Sequence, residues 1–270
     1  MSAIASTAAV ERPTARPIRA IRPIPLSRLM SVELRKMFDT RSGFWLMTSI
    51  AIAGVLATTA VIIWAPDDEL GYGTFAAAIG FPMAVILPMI AILSVTSEWS
   101  QRSGLTTFTL VPHRSRIVLA KAFSTVGVAV VSIPLALAIG AVGNLIGSSI
   151  AGVNTTWDVS LLDGLYIVLG NVLGLLIGFM LGVLIRNSPG AIVAYFVYSL
   201  VLPTLFSILA ANAQWFKDLQ PWVDFNYAQS ALFNGDLTGE QWANLGVTGV
   251  IWLIIPLAVG VGLVMRSEVK

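Results

Sequence analysis

Long uncharged apolar stretches alternate with shorter polar segments along the whole chain. Six stretches contain no Asp, Glu, Lys, Arg or His, and they cover residues 44–64, 75–97, 122–147, 164–185, 191–210 and 243–265. Each has about 20 residues or more, the helical length that crosses a hydrocarbon layer of about 30 Å. The pattern predicts an all-α membrane protein with six transmembrane helices.

The polar segments alternate in charge. Fifteen of the sixteen Lys and Arg residues lie before the first, third and fifth stretches or after the sixth, and the exception is Lys217. Nine of the fourteen acidic residues lie in the remaining segments. Because basic loops stay on the cytoplasmic side of a membrane, both termini are predicted to be cytoplasmic.

Composition supports the membrane class. Apolar residues make up 56% of the chain and charged residues only 11%, whereas a soluble domain has about 25% charged residues. A soluble protein with a very hydrophobic core is the disfavoured alternative. The chain has no cysteine, so disulfides and thiolate metal sites are excluded. The positive surplus follows the topology and does not indicate a nucleic-acid partner.

The chain divides into three parts. Residues 1–25, rich in Pro and Arg, are predicted to form a disordered basic cytoplasmic arm, and residues 42–270 are predicted to form one six-helix membrane domain. Between them, residues 26–41 predict an amphipathic interfacial helix on the cytoplasmic leaflet. Its apolar face carries Leu26, Met30, Leu34, Met37 and Phe38, its polar face carries Arg28, Ser31, Arg35 and Asp39, and Glu33 and Arg41 lie at the rim. The alternative is a cytoplasmic stem of the first span.

The fourth stretch carries small residues at every fourth position, a pattern that lets another helix approach closely. These helix-packing candidates are Gly170, Gly174, Gly178 and Gly182. Asn171 and Asn144 are candidates for hydrogen bonds between helices. Whether the glycine stripe packs inside one subunit or between subunits stays open at the level of sequence.

Prolines and aromatic residues mark two further features. Prolines inside the second and third spans are expected to kink the helices and free backbone carbonyls. Residues 211–242 are rich in aromatic side chains and predict two short helices at the outer membrane interface. Turns are expected near Pro221 and at Asn234-Gly235.

The spans contain no group that could perform chemistry. An ion-coupled carrier keeps ionisable residues in the membrane, and an intramembrane protease needs a nucleophile with a base, paired aspartates or a metal. No lysine stands in a phosphate-binding loop. We therefore predict that the chain is not an enzyme, with no catalytic, metal or cofactor site. A protein of this kind is either passive or powered by another subunit.

The segment after the second stretch resembles the coupling loop of ABC-2 type transporter permeases. In that family the loop begins with an acidic residue, passes a basic residue and Gly-Thr, and ends with Pro, Arg and a Lys at the next span. The matching residues here are Glu98, Arg102, Gly104, Pro112, Arg116 and Lys121. The chain departs from this pattern at Leu105, where the family usually has Thr.

The resemblance covers nearly all of residues 27–270 and implies an exporter subunit in a bacterial plasma membrane. The resemblance implies that two permease subunits work together, as a homodimer or a heterodimer. It also implies two cytoplasmic ABC ATPase subunits that bind ATP and Mg. Those ATPases would hold the loop 98–116 and the helix 26–41. The candidate coupling residues are Glu33, Arg35, Glu98, Arg102, Gly104, Phe108, Pro112, Arg114 and Arg116. The uncharged spans favour a hydrophobic or amphipathic cargo, but no residue is assigned to substrate binding.

The apolar run Leu105 to Val111 suits a socket on a soluble partner, and a plain solvated turn is the alternative. Two other functions stay open. A passive channel or secondary transporter would work without an ATPase. A non-transporting scaffold would bind a partner without moving any solute.

Overall fold

The computed structural model describes residues 24–100 and 114–266, apart from the side chains of Ser42, Ser100 and Arg114. All regular structure in these two ranges is helical, with no strand. In chain order the helices are α1 Leu26–Asp39, α2 Arg41–Trp64, α3 Tyr72–Ser100, α4 Arg114–Ala151, α5 Leu161–Ile185, α6 Ser188–Asn212, α7 Gln214–Val223, α8 Phe225–Ser230 and α9 Gly239–Arg266.

The prediction of six apolar helices is confirmed, because α2, α3, α4, α5, α6 and α9 are long and apolar enough to cross a membrane. The helices extend beyond the predicted stretches. The largest difference is in α4, whose 38 residues begin at Arg114 instead of 122. At about 1.5 Å per residue α4 is about 57 Å long, so a large part of it lies outside a hydrocarbon layer of about 30 Å.

We call the end of the bundle that holds α1, the last turn of α3 and the start of α4 the basic end. The opposite end, which holds residues 65–71, 152–160 and 213–238, is the acidic end. Both names follow the charge alternation described above.

The core lies between α3, α4 and α5. Met83 and Leu87 of α3, Ile133 of α4, and Leu175 and Phe179 of α5 are all at most 2% exposed and belong to one cluster. In the most apolar segment of α5, half of the residues are buried. In the corresponding segment of α6, only 11% are buried. The fourth span is therefore central and the fifth is peripheral.

Pro88 of α3 lacks the N–H that would bond the Ala84 carbonyl one turn earlier, because proline has no amide hydrogen. The hydroxyl of Tyr195 on α6 donates to that carbonyl at 2.6 Å. The backbone carbonyl that the proline leaves free therefore accepts a hydrogen bond that joins the second and fifth spans.

Two prolines that the sequence analysis did not single out coincide with wide helical turns. The π turn Val197–Val201 precedes Pro203 in α6, and the π turn Val250–Ile254 precedes Pro256 in α9. A proline removes one donor and crowds the carbonyl four residues before it, and a local π turn relieves both. The rings of Tyr198 and Trp252 meet between these turns, 5.7 Å apart.

The acidic end contains the two predicted short helices, α7 and α8, followed by a 3-10 turn at Ala231–Phe233. The turn predicted near Pro221 falls three residues later, because Pro221 lies inside α7 and the break between the two helices is at Asp224. Asp224 caps α8 by accepting from the Tyr227 amide at 3.1 Å, and this cap fixes the break. Gly235 has a φ of 89°, which matches the turn predicted at Asn234-Gly235.

Candidate functional site

Four charged side chains from three helices meet at the basic end. They are Glu33 and Lys36 of α1, Glu98 in the last turn of α3, and Lys121 of α4, and we call them the ion cluster. The Lys121 Nζ lies 2.6 Å from Glu33 Oε2 and 3.2 Å from Glu98 Oε1. The Lys36 Nζ lies 2.8 Å from Glu33 Oε1 and 3.4 Å from Glu98 Oε1. Each lysine therefore bridges both carboxylates.

Three members of the ion cluster are buried. Glu33, Glu98 and Lys121 are 6%, 5% and 4% exposed, whereas the Lys36 side chain is 46% exposed. Lys121 also donates to the Ser94 carbonyl at 2.8 Å. Removing a charge from water costs several kcal/mol unless a partner compensates it, so the two buried carboxylates depend on Lys121.

The backbone brings α1 to this position by a break at Thr40. Thr40 is extended (ψ 141°), and its hydroxyl accepts from the Gly43 amide at 3.1 Å to cap α2. A Cβ at Gly43 would overlap the Met37 carbonyl, so only glycine permits the close approach of α1 and α2. Helix α1 and the first span are therefore two separate helices.

Helix α1 packs along α4. Met37 is buried, and the Ser124 hydroxyl of α4 donates to the Met30 carbonyl at 3.3 Å. The packed face includes Glu33, which the sequence placed at the rim of the apolar face, and Phe38 on the predicted apolar face is 52% exposed. Pairing with Lys121 is the physical reason that Glu33 is buried.

Two groups of the ion cluster have shifted pKa values. Burial alone would raise the pKa of the Glu33 carboxyl, but the ammonium groups of Lys121 and Lys36 outweigh burial and hold this pKa below its ordinary value. Burial alone would lower the pKa of Lys36, but Glu33 and Glu98 outweigh it and raise this pKa. Both groups are therefore ionised at neutral pH.

The other coupling candidates are distributed around the cluster. Arg35 is exposed on the opposite face of α1, and Arg116 is half-buried in the first turn of α4. Arg114 is the first residue of α4. The remaining candidates lie outside the described residues: Arg102, Gly104, Phe108 and Pro112. Glu98 and Arg116, predicted in a loop, lie in helices.

The glycine stripe of α5 faces other parts of the same chain. A Cβ at Gly178 would lie 2.8 Å from the Pro88 carbonyl oxygen of α3, and one at Gly182 would lie 3.3 Å from the Ile92 Cα. Gly170 faces the Phe233 ring at the acidic end, where the Gln229 side chain donates to the Gly170 carbonyl at 2.7 Å. Gly174 has more room, with Gln229 Nε2 at 3.6 Å.

The two asparagine candidates do not bond between spans. The Asn144 amide donates to the Thr156 carbonyl in the connection after α4, at 2.8 Å, and the Asn171 amide donates to Ile167 of its own helix at 2.9 Å. Both side chains are buried. Among the described residues, neither amide nitrogen donates to another span.

The sequence analysis did not identify Lys36 as a site residue, and Lys121 was named there only as part of the family's loop pattern. One signal was available. Glu98 and Lys121 each lie directly beside an apolar stretch, and Glu33 and Lys36 lie one helical turn apart. Charges at the ends of spans, with both signs on one side of the membrane, are suited to pair with each other.

Comparison with known proteins leaves the family open. No protein-family model matches the chain, and no curated protein matches it. The resemblance to ABC-2 permeases therefore stays a prediction based on residues 98–121 and the order of the spans.

Proposed function

We propose that the chain is the membrane permease subunit of an ABC-2 type, ATP-driven exporter in a bacterial plasma membrane. It works in pairs, with two cytoplasmic ATPase subunits that bind ATP and Mg, and the basic end faces the cytoplasm. The observation that carries the proposal is the ion cluster, because it joins α1 to the two helix ends that flank residues 101–113.

The ion cluster can transmit force between helices, because it ties α1, α3 and α4 together. Moving α1, α3 or α4 separately would part buried opposite charges, at a cost of several kcal/mol. A push on residues 101–113 is therefore passed to α3 and α4 together, and to α1 through Glu33. Coupled elements of this kind move as rigid bodies between two packed states. The substrate passes between the two permease copies.

The first test is purification of the chain from its native cells in mild detergent, with mass spectrometry of co-purifying proteins. The proposal predicts a stoichiometric partner that carries a phosphate-binding loop. A folded chain that purifies without any ATPase, and conducts solute alone in vesicles, would favour the passive channel and overturn the proposal. Partner binding without ATP-driven transport would favour the scaffold.

A charge reversal locates the contact. Arg35→Glu on the exposed face of α1 should reduce retention of the ATPase at least about tenfold, since a basic contact becomes repulsive toward an acidic partner surface. Lys217→Glu, an equally exposed reversal at the acidic end, is the matched control and should retain the ATPase. Equal retention by both variants would remove α1 from the contact.

A further inference from the structure

A cavity at the acidic end has features that the ion cluster does not explain. It is half-open and has a volume of about 570 Å³ between α3, α5 and the turn at residues 232–235. This volume is in the range of about 300–1,000 Å³ found for small-molecule sites. Its α3 wall includes Ala77 and Phe81, and its α5 wall includes Ile167 and Asn171.

Two carboxylates line the cavity, and no lysine or arginine does so in the described part of the chain. Asp158 Oδ1 accepts from the Gly73 amide at 2.7 Å. Asp163 Oδ2 accepts from the amide and the hydroxyl of Ser160, at 2.9 and 2.7 Å. The second oxygen of each carboxylate has no hydrogen bond to any described residue. Each carboxylate is thus held in place by one oxygen, and the other oxygen can bind a cation.

Asn171 supplies a polar atom deeper in the cavity. Its side chain is 94% buried, and its amide nitrogen donates to Ile167. Asn171 lines the cavity, and its Oδ1 accepts no hydrogen bond from a described residue. Asn171 lies eight residues after Asp163, which is about 12 Å along α5. A ligand that carries a hydrogen-bond donor would satisfy this oxygen.

The wall between these polar points is apolar. Ala77 and Phe81 lie on the exposed face of α3, where the Phe81 side chain is 76% exposed. Small residues on the same wall, Ala76, Gly80 and Ala84, leave room for an alkyl chain or a flat ring. The cavity therefore combines negative charge at one end with an apolar body.

We propose that this cavity binds an amphipathic amine. The protonated amine lies between Asp158 and Asp163, the apolar body lies along Ala77 and Phe81, and a donor group bonds Asn171 Oδ1. Anionic amphiphiles are repelled by the two carboxylates. Binding of the amine involves residues of this chain alone and does not require an ATPase partner.

The test uses the absence of native cysteine. The full chain carrying Ala77→Cys is placed in phosphatidylcholine nanodiscs at pH 7 and labelled with a maleimide. Dodecylamine should slow the labelling at least about fivefold, while dodecanol and dodecanoate at the same concentration should not. The double variant Asp158→Asn, Asp163→Asn should weaken this protection about tenfold or more.

Asp68→Asn is the matched control, because Asp68 is exposed at the acidic end and does not line the cavity. Gel filtration shows that each variant is folded. Equal protection by dodecanol would show nonspecific partition, and stronger protection by dodecanoate would show an anion site. Crosslinking of two Ala77→Cys chains to each other would show that a second copy occupies the cavity. Each of these three results overturns the proposal.

Discussion

At the scale of single residues, two tyrosines of α6 differ in their hydroxyl partners. Tyr195 donates to the Ala84 carbonyl, whereas the buried hydroxyl of Tyr198 has no partner in the described part of the chain. Tyr195→Phe should destabilise by about 1–3 kcal/mol, because the carbonyl that Pro88 frees becomes unpaired. Tyr198→Phe should be neutral or stabilising. Unfolding by SDS in mixed micelles measures both changes, and an equal loss in both variants would contradict the assignment.

Lys121 should be the costliest member of the ion cluster to remove. Lys121→Met leaves two buried carboxylates with only the half-exposed Lys36, and a loss of about 3–5 kcal/mol is expected. Lys36→Met is the matched control and should cost about 1 kcal/mol or less. The same SDS unfolding measures both.

A third variant separates unpaired charge from lost packing. Replacing Glu33, Glu98 and Lys121 together by Met removes the buried charge of the ion cluster and should recover most of the stability. A triple variant as unstable as Lys121→Met would show that packing, not charge pairing, causes the loss.

The pKa shifts predict how stability depends on pH. The pKa of Glu33 is lower in the folded state, so its contribution is complete above about pH 5 and is lost as the pH falls through the folded pKa. The pKa of Lys36 is raised, so its smaller contribution is complete below about pH 10 and is lost above it. Glu33→Gln should lower stability at pH 7, and its difference from the wild type should shrink as the pH falls below about 5. A constant difference from pH 3 to 7 would contradict the shift.

At the scale of elements, the glycine stripe of α5 offers a test within one helix. Gly178→Ala places a methyl group 2.8 Å from Pro88 backbone of α3 and should destabilise by about 1–3 kcal/mol. Gly174→Ala meets only the Gln229 side chain, at ordinary contact distance, and should be neutral or slightly stabilising. Unfolding in micelles distinguishes the two. Equal effects would show that α3 and α5 are not in close contact at Gly178.

The elements also show what local pattern can predict. Helix α1 spans 26–39, close to the predicted 26–41, because alternation of apolar and polar faces is a local signal. Its packing against α4 was not predicted, because charges near the ends of spans indicate that pairing occurs but not that Glu33 meets Lys121, 88 residues later. The π turns were missed for a similar reason. A proline signals local stress in a helix, but neighbouring helices decide between a kink and a wide turn.

At the scale of the whole molecule, the side of the membrane is a prediction from charge. The alternation of basic and acidic ends places Ser27 in the cytoplasm and Asn154 outside. In a chain without cysteine, Asn154→Cys should react with a membrane-impermeant maleimide in intact cells, and Ser27→Cys only after permeabilisation. Both positions are exposed. The reverse labelling pattern would invert the topology and remove the basic end from any cytoplasmic ATPase.

The ion cluster also sets an order of events during synthesis. Glu33 leaves the ribosome 88 residues before the lysine that neutralises it in the interior. Burying this carboxylate without Lys121 would cost several kcal/mol, so α1 stays undocked while the first two spans insert. Helix α1 is translated before α2 and α3 but docks only after Lys121 of α4 has been made. A nascent chain that ends before Lys121 therefore leaves α1 open to chaperones and proteases.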